Sequence, residues 1–196
     1  MKKIVLAGVA AALLSGAALA APVQWAGNGH WYEYVAGPVT WDGALSGAAS
    51  MSHLGQPGYL ATITSEAEQV FLQGQGWGLA WVGGSDRETE GVWKWIAGPE
   101  AGQTFWDHGT TLIYSAWGSG EPNDYNGGED YLQFNWGGNG PNVNAWNDHG
   151  GPGSSYAFNH GYVVEYGGAV PEPETYAMML AGLGLLGAVG RRRKAS

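Results

Sequence analysis

The chain contains no cysteine, so disulfides, thiol chemistry and cysteine-ligated metals are all excluded. Charge is scarce too. Asp, Glu, Lys and Arg make up 13% of the residues, and six of the eight basic ones, Lys2, Lys3, Arg191, Arg192, Arg193 and Lys194, stand at the two ends. Only Arg87 and Lys94 remain for everything between, and no Lys or Arg lies from Trp95 to Gly190. A phosphate backbone needs cations to neutralise it, so a nucleic-acid partner does not fit this composition. With 35 glycines and few Lys and Glu, the chain does not read as a helical bundle either. It has no H-E-x-x-H, no G-x-S-x-G and no suitable Ser-His-Asp order. The histidines, His30, His53, His108, His149 and His160, therefore read as ordinary polar residues.

What is present points to a folded, exported domain. Hydrophobic residues make up 44% of the chain and there are 11 Trp, far too apolar and aromatic for disorder. Lys2-Lys3, an apolar run from Ile4 to Leu14 and the small-residue end Ala18-Leu19-Ala20 form a signal peptide over 1–20, with an A-x-A site for signal peptidase. About 150 central residues, assigned here as 21–169, suit one domain with its own core. At the far end, Tyr176 to Gly190 is apolar and is followed by the basic cluster at 191–194. That span is short against the roughly 20 residues that cross a bilayer, but the basic cluster is the expected cytoplasmic stop. Gly182, Gly184 and Gly187 spell a dinucleotide fingerprint within it, without the preceding strand or the later acid that such a site requires.

Within the domain, His30 to Val35 is predicted as a strand and Thr40 to about His53 as a helix capped by Thr40. Tyr59 to Ile63 reads as a strand. Ser65 and Glu68 form a capping box, each side chain bonding the other's backbone N–H, and open a helix to about Gln73. Strands are predicted at Trp81–Gly84, Val92–Ile96, Tyr131–Phe134 and Tyr162–Tyr166. Residues 97–130 read as a long irregular stretch, anchored by Trp106, Ile113 and Trp117. Helices come early and strands late, which argues for an α+β fold.

The irregular stretch ends in a cluster of acids and amides: Glu121, Asn123, Asp124, Glu129 and Asp130, then Asn147 and Asp148. Two carboxylates about 4 Å apart repel by about 1 kcal/mol in water and several-fold more in a less polar site. With almost no Lys or Arg to pair them, two states suit such a cluster: a solvated acidic loop, or a set of hard oxygen ligands around a cation. Carboxylate and amide oxygens without Cys or spaced His suit Ca²⁺, which takes 6–8 oxygens, better than Mg²⁺.

Two resemblances sharpen this reading. Val170-Pro171-Glu172-Pro173, the apolar span and the Arg cluster together resemble the PEP-CTERM sorting signal, here 170–196. That implies a Gram-negative, exopolysaccharide-forming bacterium, recognition and cutting by an exosortase, and transient membrane anchorage through a transmembrane helix at 176–190. The mature protein is then expected at the cell surface or in the extracellular matrix.

The order Trp117…Glu121-Pro122-Asn123-Asp124…Glu129-Asp130…Trp146-Asn147-Asp148, with Trp81-Val82-Gly83-Gly84 upstream, resembles the calcium-dependent carbohydrate-recognition domain of the C-type lectins over about residues 28–167. The resemblance implies a principal calcium site made by Glu121, Asn123, Glu129, Asn147 and Asp148, with a cis peptide bond before Pro122. It also implies an auxiliary calcium site from Asp86, Glu90, Asp124 and Asp130. Glu-Pro-Asn goes in that family with mannose-, glucose-, N-acetylglucosamine- or fucose-type sugars. The positions of two usual half-cystines match Tyr131 and Val164. Tyr125, Trp136 and Trp146 are candidates for stacking on a sugar, with Trp146 better suited to the core under the acidic loop. The expectation is a calcium-dependent, non-enzymatic binder of a glycan or exopolysaccharide. The alternative is a structural or protein-interaction module of the envelope or biofilm matrix on the same fold.

Overall fold

The computed structural model describes residues 21–137, 145–151 and 160–168. In chain order the elements are β1 (Val23–Gln24), β2 (Trp31–Val39), α1 (Trp41–Ser50), β3 (Ser52–His53), β4 (Gln56–Leu60), α2 (Glu66–Gln73) and β5 (Ala80–Ser85). They continue with β6 (Val92–Trp95), β7 (Thr104–Asp107), β8 (Thr110–Thr111), β9 (Tyr131–Trp136), β10 (Ala145–His149) and β11 (His160–Tyr166). Both helices precede most of the strands, and the fold is α+β as expected.

Strand β11 ties the ends together. It runs antiparallel to β2 and β4 and parallel to β5. From β5 the sheet continues through β6, β7 and β8 on one side, while β9 and then β10 pair on another. Successive residues of a strand point to opposite faces, and this sheet is covered on both. Val82 and Val163 enter a core of Tyr32, Ile63, Leu72, Trp93, Trp95, Phe105, Leu132, Phe134 and Trp146. Their neighbours Trp81 and Val164 enter a second core with Trp41, Ala44, Ala48, Leu60, Tyr131 and Tyr166. Tyr131 and Val164, the positions matched to half-cystines, are thus both buried in that second core.

Helix α1 forms because Thr40 accepts a hydrogen bond from the Gly43 N–H at 3.0 Å, while Trp41, Ala44 and Ala48 share its buried face. The Trp41 indole donates to the Val82 carbonyl and its ring lies flat on Tyr131 at 4.6 Å. The helix stops at Ser50, short of the predicted His53. Ser52 and His53 instead pair with Pro57 and Gln56 across a two-residue turn, Leu54-Gly55, with both φ angles positive. Leucine is not a usual residue for that turn, so composition conceals it.

Helix α2 starts where predicted. Ser65 Oγ accepts from the Glu68 N–H, but the second half of the capping box differs: the Glu68 carboxylate accepts from the Thr64 N–H at 2.9 Å rather than from Ser65. Its other oxygen accepts from the Tyr32 hydroxyl, and this tertiary contact draws the side chain off the cap.

The stretch 97–130 is more ordered than expected, since it contains β7 and β8. Trp106 and Trp117 pack against the first core as predicted, whereas Ile113 is exposed and anchors nothing there. Ala116 and Gly118 are hydrogen-bonded to either side of the Trp146 backbone, which clamps the segment onto β10. Among the described residues no helix is long and apolar enough to cross a membrane. The signal peptide at 1–20 and the span at 176–190 lie outside the described residues.

Candidate functional site

The acidic residues gather where the segment after Trp117 meets β10. Strand β10 pairs antiparallel with β9, Asn147 opposite Gln133 and Asp148 opposite Leu132, and Trp146 anchors it from below. Trp146 is fully buried, donates to Gln69 Oε1 at 2.8 Å and meets Trp95, Phe105, Tyr114 and Trp117 edge to face. It is a core residue beneath the acidic loop, not a sugar platform. Tyr125 is exposed and Trp136 half-buried.

Asp148 holds the loop. One carboxylate oxygen accepts from the backbone N–H groups of Asn123 and Asp124, at 2.8 and 2.6 Å, so the chain just after Pro122 is fixed to β10. Its other oxygen is buried and has no hydrogen-bond partner among the described residues. The Glu121–Pro122 bond is cis, and the Asn123 amide donates to the Glu121 carboxylate. Glu129 accepts from the Tyr125 N–H at 3.0 Å. Glu121, Asn123 and Asp148 are thereby brought together, and Glu129 lies near enough for its charge to act on Glu121. Asn147 is differently engaged: it is buried and its amide donates to Gln133 Oε1 at 3.3 Å.

Burial and like charge act on this group together. Glu121 is pushed up to about 7, first by burial and then by the Asp148 carboxylate beside it. Burial also raises Glu129 and Asp148. Three carboxylates whose ionisation is disfavoured in the same place are what a cation would relieve.

Asp86, Glu90 and Asp130 form a second group, with ligand oxygens all within 4.8 Å of one another. The turn between β5 and β6 presents Asp86 and Glu90. Asp86 is buried, accepts from the Gly91 N–H at 3.0 Å through one oxygen, and leaves the other without a partner among the described residues. Burial above all pushes Asp86 up to about 7, with the nearby charges of Glu90 and Asp130 adding to it. Glu90 and Asp130 are raised likewise. Gly151 lies so close to Asp130 that an added Cβ would sit 2.5 Å from its carboxylate oxygen. Asp124, the fourth residue expected here, accepts from the Glu129 N–H and so links the two groups.

Both groups offer carboxylate and amide oxygens, and each contains a buried carboxylate oxygen without a hydrogen-bond partner among the described residues. That donor set fits a hard cation of the Ca²⁺ type, because a buried charged acceptor needs a partner. Sequence reasoning missed His149. Its Nδ1 lies 3.3 Å from Glu129 Oε1 and its ring stacks on Trp81 at 6.1 Å. Strand alternation through β10, Ala145–His149, is the signal that points to it.

Comparison with known proteins bears on the fold and on the C-terminal tail. Residues 169–194 match the PEP-CTERM protein-sorting motif. Halomucin of Haloquadratum walsbyi is 46% identical over 143 residues, 72% of this chain and 1% of halomucin. The type-2 ice-structuring protein of Brachyopsis segaliensis is 31% identical over 108 residues, 55% of each chain. The chain thus spans about half of one curated relative and a small fraction of the other. Among solved structures, the cow C-type carbohydrate-recognition domain of CD23, obtained in the presence of a GlcNAc2Man3 oligosaccharide, superposes with a TM-score of 0.53 at 26% identity, covering 72% of this chain and 91% of that one. The chain is a protein of C-type lectin-like fold that carries a PEP-CTERM sorting motif.

Proposed function

We propose that this chain is an exported, calcium-dependent carbohydrate-binding protein with a preference for mannose- and glucose-type sugars, sorted by an exosortase to the cell surface or extracellular matrix. The observation that carries this reading is that Asp148 and Glu121 are joined through Asn123 at the cis Glu121–Pro122 bond, beside a buried Asp148 carboxylate oxygen with no hydrogen-bond partner among the described residues. Glu121, Asn123, Glu129 and Asp148, joined by Asn147, would hold the principal ion, and Asp86, Glu90, Asp124 and Asp130 an auxiliary one. When bound, Ca²⁺ supplies coordination positions that vicinal sugar hydroxyls can fill.

The protein's own residues do the discriminating. A hydroxyl both donates and accepts; a carboxylate only accepts, and an amide N–H₂ donates. Glu121 with Asn123 therefore forms an acceptor–donor pair for one equatorial hydroxyl, and Glu129 with Asn147 would form a second for its neighbour once the Asn147 amide turns from Gln133. Asp148 keeps the first pair in place by holding the Asn123 backbone. Few groups touch each sugar, so single sites bind weakly and useful retention depends on clustering. In a polysaccharide matrix the glycan supplies that repetition.

Retention of the purified protein on a mannan column tests the reading. Binding is expected in millimolar calcium, with elution by EDTA and by free mannose. Galactose that elutes as well as mannose contradicts the specificity, and retention that survives EDTA contradicts the role of the ion and favours a protein-interaction module.

A further inference from the structure

Helix α2 leaves one side uncovered. Glu68, Gln69 and Leu72 are buried, while Ala67, Val70 and Gly74 are exposed and Phe71 is half-buried beside them. Spacings of three and four residues put these last four on one side of the helix. Val70 is 58% exposed, an apolar side chain that the domain's own packing does not use. Strand β2 and the turn after β1 extend this side. Tyr32 and Tyr34, two apart on β2, share one face of the strand. Phe71 meets Tyr32 edge to face at 5.8 Å, and Trp77 stacks on Tyr34 at 6.1 Å. Trp25 stacks on Phe71 at 6.0 Å. Trp25, Tyr34, Phe71 and Trp77 all keep part of their surface open, and together they form an aromatic patch edged by Val70.

Charge limits what can cover this patch. Of the 17 acids, all but Glu172 and Glu174 lie between residues 21 and 169, where Arg87 and Lys94 are the only Lys or Arg. A domain of that balance is repelled by anionic lipids. None of the patch residues is charged, and Glu66, one turn before Val70, borders it. An uncharged aromatic face is what such a domain can lay on a bilayer, because Trp and Tyr rings, apolar in body and polar at the tip, settle at the membrane–water interface.

The exit of the chain lies at the same place. Tyr166 of β11 pairs with Trp31, and an added Cβ on Gly168 would sit 3.1 Å from the Gly29 carbonyl oxygen. Gly29 belongs to the turn that carries Trp25: its N–H donates to the Trp25 carbonyl, and the Trp25 N–H donates to the His30 carbonyl. One hydrogen-bonded turn therefore joins the exit to the patch. Seven residues, 169–175, separate Gly168 from the apolar segment that starts at Tyr176. Fully extended they reach at most about 25 Å, so a segment held in the bilayer keeps this side of the domain next to it.

We propose that this aromatic face is a membrane-docking surface. While the sorting tail anchors the precursor, Trp25, Val70, Phe71 and Trp77 rest in the interfacial layer of the lipid bilayer and fix the orientation in which the domain stands on it. The inference rests on the anchored precursor of the proposed function and is independent of sugar binding.

The test uses the full chain, tail included, in phosphatidylcholine vesicles whose acyl chains are brominated near the headgroup and so quench nearby tryptophans. All 11 Trp lie from Trp25 to Trp146, so the tail adds no signal of its own. Emission is expected to fall by about the share that Trp25 and Trp77 hold among those 11. Val70→Glu, at an exposed position where substitution costs little stability, is expected to abolish the quenching while the chain still floats with the vesicles. Trp77→Phe is expected to remove part of the quenching and leave the rest. Flotation without quenching overturns the docking surface and leaves the anchor standing; failure to float overturns both. Other occupants of the face are detected in the absence of vesicles. A melting temperature lowered by Val70→Glu there means that the chain's own tail covers the patch, and a dimer dispersed by Val70→Glu means that a second copy does; either result overturns the proposal.

Discussion

At the residue scale, the loop around Pro122 depends on a few side chains with opposite hydrogen-bonding capacity. Asn123 is the clearest. Its amide donates to Glu121 while its backbone N–H is held by Asp148. Asn123→Asp removes the donor and adds a carboxylate beside Glu121, already pushed up to about 7. Mannan retention is expected to fall at least about tenfold, the effect of losing one charge-assisted hydrogen bond, with the melting temperature in chelator little changed. Gly151→Ala addresses the other group, because the new Cβ would displace Asp130. It is expected to weaken calcium binding at the weaker of two calorimetric steps and to leave sugar selectivity intact. The identities of these residues were legible from their order in the chain. The engagement of Asn147 with Gln133 and of His149 with Glu129 was not, because both follow from the β9–β10 register. That register is a long-range pairing which no local pattern encodes.

At the scale of elements, a polar network joins β2, α2 and β11. The Tyr32 hydroxyl donates to Glu68 and lies 3.2 Å from Glu165; Glu165 accepts from the Thr62 N–H and meets His30 Nδ1 at 2.6 Å. The hydrogen bond to Glu165 raises His30 above its ordinary value, and burial raises Glu68. The sign follows for both. A histidine raised in the folded state stabilises fully below its unfolded value, about 6.5, and that contribution fades as pH climbs through the folded value. A carboxyl raised by burial costs stability as it ionises, so it also favours the fold at the lower end. In chelator, melting temperature is therefore expected to fall between about pH 6 and pH 8, and His30→Gln to flatten that fall. An unchanged slope in the variant contradicts the assignment. Tyr32→Phe is expected to cost about 1–3 kcal/mol, since it strips a buried carboxylate of its donor; denaturant unfolding measures it. Element by element, periodicity and caps exposed α1, α2 and most strands. The β3–β4 turn at Leu54-Gly55 stayed hidden behind an atypical residue, and β7, β8 and β10 behind Gly-rich and Asp-rich composition, because β7 and β10 are held by tryptophan packing rather than by propensity and β8 by its pairing with β7.

For the whole molecule, the absence of cysteine shifts the burden of stability to packing and to whatever fills the acidic groups. The two aromatic cores lie on opposite faces of one sheet and hold the scaffold. The loop between Trp117 and β9 is held by the Gly118 hydrogen bond, the two bonds to Asp148, the backbone bonds of Asp130 with Gly150 and Asp86, and a few local ones. In the proposed function, the acids left without Lys or Arg are the reason the fold would be coupled to a cation: ionised together they destabilise the loop, and neutralised by an ion they close it. A ligand that binds only the folded state at a hundred times its dissociation constant stabilises by about 2.7 kcal/mol, which for a domain of this size corresponds to a shift of about 5–10 °C. The decisive measurement is the melting temperature of the purified protein in EDTA and in millimolar calcium. An upward shift of several degrees in calcium, reduced by Glu121→Gln, is the predicted result; identical melting curves in chelator and calcium would contradict the account.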